Sequence, residues 1–224
     1  MRLRPYTTIL PKPLVPVGER PILEHILLRL HACGIREVDL CVGHLGELIQ
    51  VYFSQANAFP VDLELHWHWE DEPLGTAGAL RIVPGLRGTF IAMNGDILTT
   101  LDYRELLAFH QRSAAALTVA THAKRVDVDL GVIETDGDRI TGFREKPQLN
   151  YEASMGIYVY DERALTNLPT EGACQFPELM QRLLEAGETV AAFRSDAEWF
   201  DIGTVGEHQR AVEAFERAPE VFAT

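Results

Sequence analysis

Short apolar runs alternate with amphipathic stretches along almost the whole chain, and this alternation limits the possible folds more than any other feature. Ile22, Leu23, Ile26, Leu27 and Leu30 recur at helical spacing behind Pro21, and the pattern stops at Gly34. Strand-like runs follow at Val38–Val42, Val61–Trp67 and Phe90–Met93, with helical patterns near 44–54, 76–83 and 102–114 between them. Such βα alternation predicts an α/β fold with a Rossmann-like, mixed and mostly parallel sheet carrying helices on both faces. Ligands of these sheets sit beyond the carboxyl ends of the strands, so functional residues are expected just after apolar runs.

Composition narrows the partners. With 224 residues, 46% of them hydrophobic, the chain can bury the core of one large α/β domain, and a single domain over residues 1–224 is expected. A formal charge of −13 argues against a nucleic-acid surface, which needs clustered cations. A phosphorylated ligand would therefore need locally concentrated positive charge. The first residues provide it: Arg2, Arg4 and Lys12 lie among Pro5, Pro11 and Pro13, whose fixed backbone reduces the ordering needed on binding. Cys33, Cys41 and Cys174 are odd in number and lack metal-ligand spacing, which predicts a reduced, cytoplasmic protein. No signal peptide or membrane-length apolar run is visible, so no membrane partner is expected.

Two carboxylates stand where ligands are expected. Asp96 follows the run ending at Met93, in Asn94-Gly95-Asp96, and Asp201 lies in Trp199-Phe200-Asp201-Ile202-Gly203-Thr204 just before a helical pattern over 204–217. Each alone reads as a turn or capping aspartate. Together they are suited to share Mg²⁺, which takes one or two carboxylates and completes its shell with water and phosphate oxygens. The loop Glu70–Leu80 brings Gly75, Thr76, Ala77 and Gly78 together, small enough for a flat ring to reach the backbone, although such a loop alone is an ordinary helix start. After the alternating stretch Arg139–Arg144 come Glu145 and Lys146, which can accept sugar hydroxyls and meet a phosphate, or simply form surface ion pairs. His66 and His68 share a strand face without a third ligand and read as structural. The helical pattern at 175–187, with Phe176, Leu179, Leu183 and Leu184, reads as packing.

Taken in order, Arg-Leu-Arg-Pro-Tyr-Thr, Pro-Lys-Pro, Glu-Pro-Leu-Gly-Thr-Ala-Gly-Ala, Asn-Gly-Asp, Glu-Lys-Pro, Met-Gly-Ile-Tyr and Trp-Phe-Asp-Ile-Gly-Thr resemble the sugar-1-phosphate nucleotidylyltransferases. The resemblance covers nearly the whole chain and implies a nucleotide-diphospho-sugar transferase fold. It implies transfer of a nucleotidyl group from a nucleoside triphosphate to a hexose 1-phosphate, with release of a nucleotide-sugar and pyrophosphate. By the same resemblance Arg2 would hold the triphosphate and Lys12 the reacting phosphates. Glu72, Leu74, Gly75 and Thr76 would read the base. Gly131, Glu145 and Ser154 would meet the sugar, Lys146 its phosphate, and Asp96 and Asp201 the Mg²⁺.

The Pro-Leu-Gly-Thr-Ala-Gly loop resembles mannose-1-phosphate guanylyltransferases and some thymidylyltransferases, whereas Ala153–Tyr158 resembles the glucose site of the adenylyl-transferring branch. Nucleotide, hexose and self-association stay open. The family begins with an apolar strand and a glycine-rich loop, and Met1 stands where that loop's threonine would be, from which Met1 is expected to be either an internal methionine of a longer reading frame or a cloning boundary. A non-catalytic, nucleotide-sugar-binding or regulatory relative is the alternative. A glycosyltransferase with Asp127-Val128-Asp129 as its metal motif ranks last, because no clear buried strand precedes those residues.

Overall fold

The computed structural model describes Leu3, residues 6–55 and residues 59–222. Its strands are β1 (Pro16–Val17), β2 (Arg20–Pro21), β3 (Glu37–Val42), β4 (Glu64–Trp69), β5 (Thr89–Met93), β6 (Ile97–Thr99), β7 (Leu117–Asp127), β8 (Val132–Asp136), β9 (Arg139–Arg144), β10 (Gln148–Asp161), β11 (Val190–Arg194) and β12 (Trp199–Asp201). Its α-helices are α1 (Ile22–Ala32), α2 (Gly46–Gln55), α3 (Tyr103–Ser113), α4 (Phe176–Glu185), α5 (Val205–Arg217) and α6 (Pro219–Phe222).

The central sheet has the order β11-β7-β10-β5. β10 runs antiparallel to both β5 and β7, and β11 runs parallel to β7, so three of the four strands point one way and β10 opposes them. The sheet is thus mixed, with one direction dominant. β10 gains a second partner along its length: Gln148–Ser154 pair with β7 alone, the register then shifts, and beyond it Tyr158–Tyr160 pair with β7 again while Ile157–Asp161 pair with β5. Alternation along β10 feeds two apolar layers. Ile157 and Val159 join the layer built with α1, α3 and α5, whereas Tyr158 and Tyr160 join Leu179 and Leu183 of α4 on the other face. The expected helices on both faces are therefore present. β3 and β4 form a separate parallel pair, β6 and β12 an antiparallel pair, and β8 and β9 a hairpin.

α1 forms as its spacing predicts: Ile22, Leu23, Ile26, Leu27 and Leu30 are all buried, and the chain leaves the helix at Gly34, whose φ of +93° suits glycine. Arg29 of α1 is buried, with its Nε donating to the Leu101 carbonyl at 2.8 Å and its Nη1 to the Val221 carbonyl at 3.1 Å. These bonds tie α1 to the start of α3 and to α6. Two expectations shift. The run from Val61 becomes a strand only at Glu64, because Leu63 N–H closes a turn on Pro60 O and Val61 is fully exposed. The helix near 76–83 is a short 3-10 turn, Gly78–Ile82. Ala77 and Gly78 both donate to the Cys174 carbonyl, and Pro84 blocks continuation beyond Val83.

Candidate functional site

The residues after the strands converge at one end of the molecule. Lys12 sits in a 3-10 turn, Lys12–Leu14, entered through the extended Pro11 and closed by Leu14 N–H on Pro11 O and Val15 N–H on Lys12 O. Its Nζ donates to Asp96 Oδ2 at 3.1 Å. Asp96 lies in the turn between β5 and β6. Asn94 N–H, donating to Gly156 O at 3.0 Å, fixes the entry to that turn. Gly156 has φ +72°, and a Cβ there would stand 2.8 Å from Asn94 Nδ2, so the Met-Gly-Ile-Tyr motif needs its glycine at the register shift of β10 against β7, where pairing with β5 begins.

Asp201 closes β12 beside that turn. It faces Ile97 in the β6 ladder, and Ile202 N–H donates to Asp96 O at 3.1 Å. Thr204 then starts α5 by accepting from Glu207 N–H at 3.2 Å. Asp201 retains exposed surface, but desolvation of its carboxyl, followed by the charge of Asp96, raises its pKa above the usual carboxylate value. Lys12 opposes that rise and Glu207 adds to it. Two carboxylates thus crowd one lysine.

Lys12, Asn94, Gly95 and Asp96 border a cavity of about 870 Å³. Glu70, Gly75, Thr76 and Gln175 also line it, and its walls run down β3 and β5. The loop 74–78 is shaped by a partner about 100 residues away. Cys174 N–H donates to Leu74 O at 2.8 Å, the Cys174 carbonyl accepts from Ala77 and Gly78, and Thr76 Oγ1 accepts from Phe176 N–H at 2.8 Å, capping α4. Gly75 has φ +79°, and a Cβ on it would meet Cys174 O at 2.6 Å. Glu70 Oε2 closes the other side by accepting from Leu74 N–H at 2.9 Å. Glu70, Cys174 and Gln175 are absent from the sequence-derived set, and only the acidic residue beside the glycine loop hinted at them.

The other candidates fall into three groups. Arg2 lies outside the described residues. Glu72 and Leu74 belong to the clamped loop but not to the cavity lining, and Glu72 is exposed. Gly131, Glu145 and Lys146 gather on the exposed β8–β9 arm: a Cβ on Gly131 would stand 3.3 Å from Glu145 Oε2, and Lys146 Nζ donates to Asp129 Oδ1 at 2.7 Å. Ser154 lies at the β10 register shift, where its Oγ accepts from Gly156 N–H at 3.3 Å. His68 pairs with Asp39 across β3 and β4 at 2.7 Å, a structural bond. Among the described residues no cluster of three His, Cys, Asp or Glu side chains could hold a metal, and no helix is long and apolar enough to cross a membrane.

Comparison with known proteins agrees with this architecture. The UTP–glucose-1-phosphate uridylyltransferase of Synechocystis sp. is 30% identical over 232 residues, covering 94% of this chain and 59% of that protein. The mannose-1-phosphate guanylyltransferase of Mycobacterium tuberculosis is 31% identical over 210 residues, covering 91% of this chain and 58% of that protein. The chain thus spans less than two thirds of the length of these curated relatives. The crystal structure of HddC from Yersinia pseudotuberculosis shares the fold, with a TM-score of 0.69 at 24% identity over 92% of this chain and 90% of HddC. Residues 1–217 match the nucleotidyl transferase family, and the chain belongs to that family.

Proposed function

We propose that this protein transfers a nucleotidyl group from a nucleoside triphosphate to a hexose 1-phosphate. The observation that carries the reading is the meeting of Lys12, Asp96 and Asp201 at the strand ends, the first two lining a cavity that the Gly75–Thr76 loop also borders. Family membership and the names of the relatives support the same reaction class.

In this reaction an oxygen of the sugar 1-phosphate attacks the α-phosphorus, a new P–O bond forms, the bond to the β-phosphate breaks, and pyrophosphate leaves with its electron pair. The attacking oxygen is already anionic, so no base must remove a proton. What the protein must supply is alignment of two polyanions and compensation of their charge. Lys12, placed in a proline-bounded turn, offers a cation to the phosphate oxygens in exchange for Asp96. The backbone of Gly75 and the Thr76 hydroxyl, held by Cys174 and Gln175, offer a flat edge for the base. Lys146 and Glu145 on the β8–β9 arm are assigned to the sugar phosphate and sugar hydroxyls, and Ser154 and Gly131 to the sugar.

The carboxylate pair suits Mg²⁺. Asp201 is crowded by Asp96, which a divalent cation would relieve, and a two-carboxylate donor set fits Mg²⁺ better than a closed zinc site. Bound by Asp96 and Asp201, Mg²⁺ would neutralise charge on the phosphates.

The test is pyrophosphate release with Mg²⁺ and a grid of nucleoside triphosphates against glucose, mannose and N-acetylglucosamine 1-phosphates. UTP with glucose 1-phosphate and GTP with mannose 1-phosphate come first, because the relatives carry those names. Release with one pair is expected, and silence across the grid for a folded chain would overturn the reading.

A further inference from the structure

The run His66-Trp67-His68-Trp69, which the proposed reaction leaves unused, forms most of β4, and β4 is an edge strand: among the described residues it pairs only with β3. At the two ends of that ladder Glu64 N–H donates to Arg36 O at 2.7 Å and Glu70 N–H to Val42 O at 2.9 Å. Backbone groups alternate in direction along a strand, so the even-numbered residues face β3, and Leu65, Trp67 and Trp69 turn their N–H and C=O groups outward. Proteins ordinarily blunt such an edge with lysine, proline or a bulge. β4 contains neither residue, and its ladder runs from Glu37–Glu64 to Val42–Trp69 without a register shift.

The two faces of β4 differ in chemistry. Leu65 and Trp67 pack against the core and, with Val51 and Phe53 of α2 and with Phe59, border a second cavity of about 440 Å³. Val51 at this cavity is 52% exposed, an apolar rim without a cover. The opposite face carries Glu64, the exposed His66, and His68, which Asp39 holds at 2.7 Å. This alternation is complementary to itself. When two copies pair antiparallel about a two-fold axis, outward groups meet outward groups only in registers that oppose residues of equal parity. An axis through Trp67 sets Glu64 against Glu70 of the second copy, like charges directly opposed. An axis through His66 sets Glu64 against His68 and Leu65 against Trp67, an acid facing an imidazole and an aliphatic side chain facing an aromatic one.

We propose that β4 is the interface of a homodimer. Two copies of β4 pair antiparallel about a two-fold axis at His66, and Leu65 of each exchanges backbone hydrogen bonds with Trp67 of the other, which makes a continuous sheet of order β3-β4-β4-β3. The occupant of the edge is a second copy because the charge and apolar complementarity is that of the strand with itself. The six residues of β4 and the Val51 rim offer on the order of 1,000 Å² of total contact, the lower end for a specific interface, so the dimer forms at micromolar concentrations. The inference stands independently of the reaction proposed above.

The experiment is sedimentation velocity of the chain from about 1 to 200 µM, repeated with His66→Lys, with His66→Glu and with an equimolar mixture of the two. His66 is exposed, so both variants are expected to keep the fold, which circular dichroism checks. Each variant alone opposes like charges at the axis and should raise the dimer dissociation constant at least about tenfold, whereas the mixture opposes lysine to glutamate and should restore the dimer. Residue-resolved amide exchange gives a second reading: the Leu65 and Trp67 amides should exchange at least about tenfold more slowly at the high concentration than at the low, with those of Glu64, His66 and His68 unchanged. A monomer throughout the range, a dimer indifferent to both variants, a mixture no more associated than its components, or no protection at Leu65 and Trp67 would each overturn the proposal. Pyrophosphate release plays no part in these readouts, so failure of the interface and failure of the reaction remain distinguishable.

Discussion

The strand-end cluster and the β8–β9 arm carry the same kinds of residue, lysine and carboxylate, but they are held in opposite ways. Lys12 and Asp96 form an ion pair whose side chains are 41% and 18% exposed, and backbone bonds from Gly156 and Ile202 fix the turn around Asp96. Lys146 and Asp129 form a pair of similar length with side chains 61% and 89% exposed, on a hairpin that also exposes Ile133, Ile140 and Phe143. The first pair sits where partial burial strengthens charge interactions, and the second where solvent screens them. A charge fixed by the scaffold is ready to stabilise a transition state. A charge held by a surface pair can be released to a ligand at little cost, so it contributes mainly to capture.

That difference is breakable by mutation. Asp96→Asn should lower kcat by on the order of 10³-fold while the far-ultraviolet circular dichroism stays native, since it removes charge but keeps shape. Lys12→Ala should cost about 10²-fold in kcat, measured in the same pyrophosphate assay. Lys146→Ala should instead raise the KM for sugar 1-phosphate about tenfold with kcat nearly unchanged. An equal fall in kcat at Lys146 and Lys12 would erase the distinction between the two regions. Gly75→Ala addresses the scaffold itself. With φ at +79° and Cys174 O in the path of a Cβ, it should destabilise the fold by about 1–3 kcal/mol in urea unfolding.

The cluster was more legible in the sequence than the clamp that shapes its neighbouring loop. α1, β3, β5 and α3 follow from periodicity and from stop signals such as Gly34, and the two aspartates from the rule that sites follow strands. Thr76 reads locally as the start of its own helix, yet its hydroxyl caps α4 through Phe176 N–H. A backbone bond between residues a hundred positions apart leaves no periodic trace. The same holds for Gly156, whose role becomes clear only once β10 is seen to shift register against β7 and take on β5 around it. The parallel alternation of the first half gives no warning of β10, which crosses the sheet against its neighbours. Burial of Phe90–Met93 departs from its pattern for a different reason: among the described residues no strand pairs with β5 on the side away from β10.

Asp201 offers the finest cut between the regions, because its pKa is raised, first by desolvation and then by Asp96. A carboxyl whose folded pKa exceeds its unfolded value favours folding most when protonated. That contribution is fully present below the unfolded value near 3.8 and is lost as pH rises through the folded one. At neutral pH the ionised Asp201 is therefore a cost to stability, and Asp201→Asn should raise Tm slightly at pH 7 while abolishing turnover. At pH values below the unfolded pKa the Tm gain should shrink, because the native carboxyl is then neutral as well. Added Mg²⁺ should raise the Tm of the unmodified chain at pH 7 and leave the Tm of Asp201→Asn nearly unchanged. The equivalent change on the arm, Asp129→Asn, should change the unfolding free energy by no more than about 0.5 kcal/mol at either pH and so barely move Tm, as expected for an exposed pair. A Tm gain from Asp129→Asn matching that of Asp201→Asn would show that burial is not what separates the two regions.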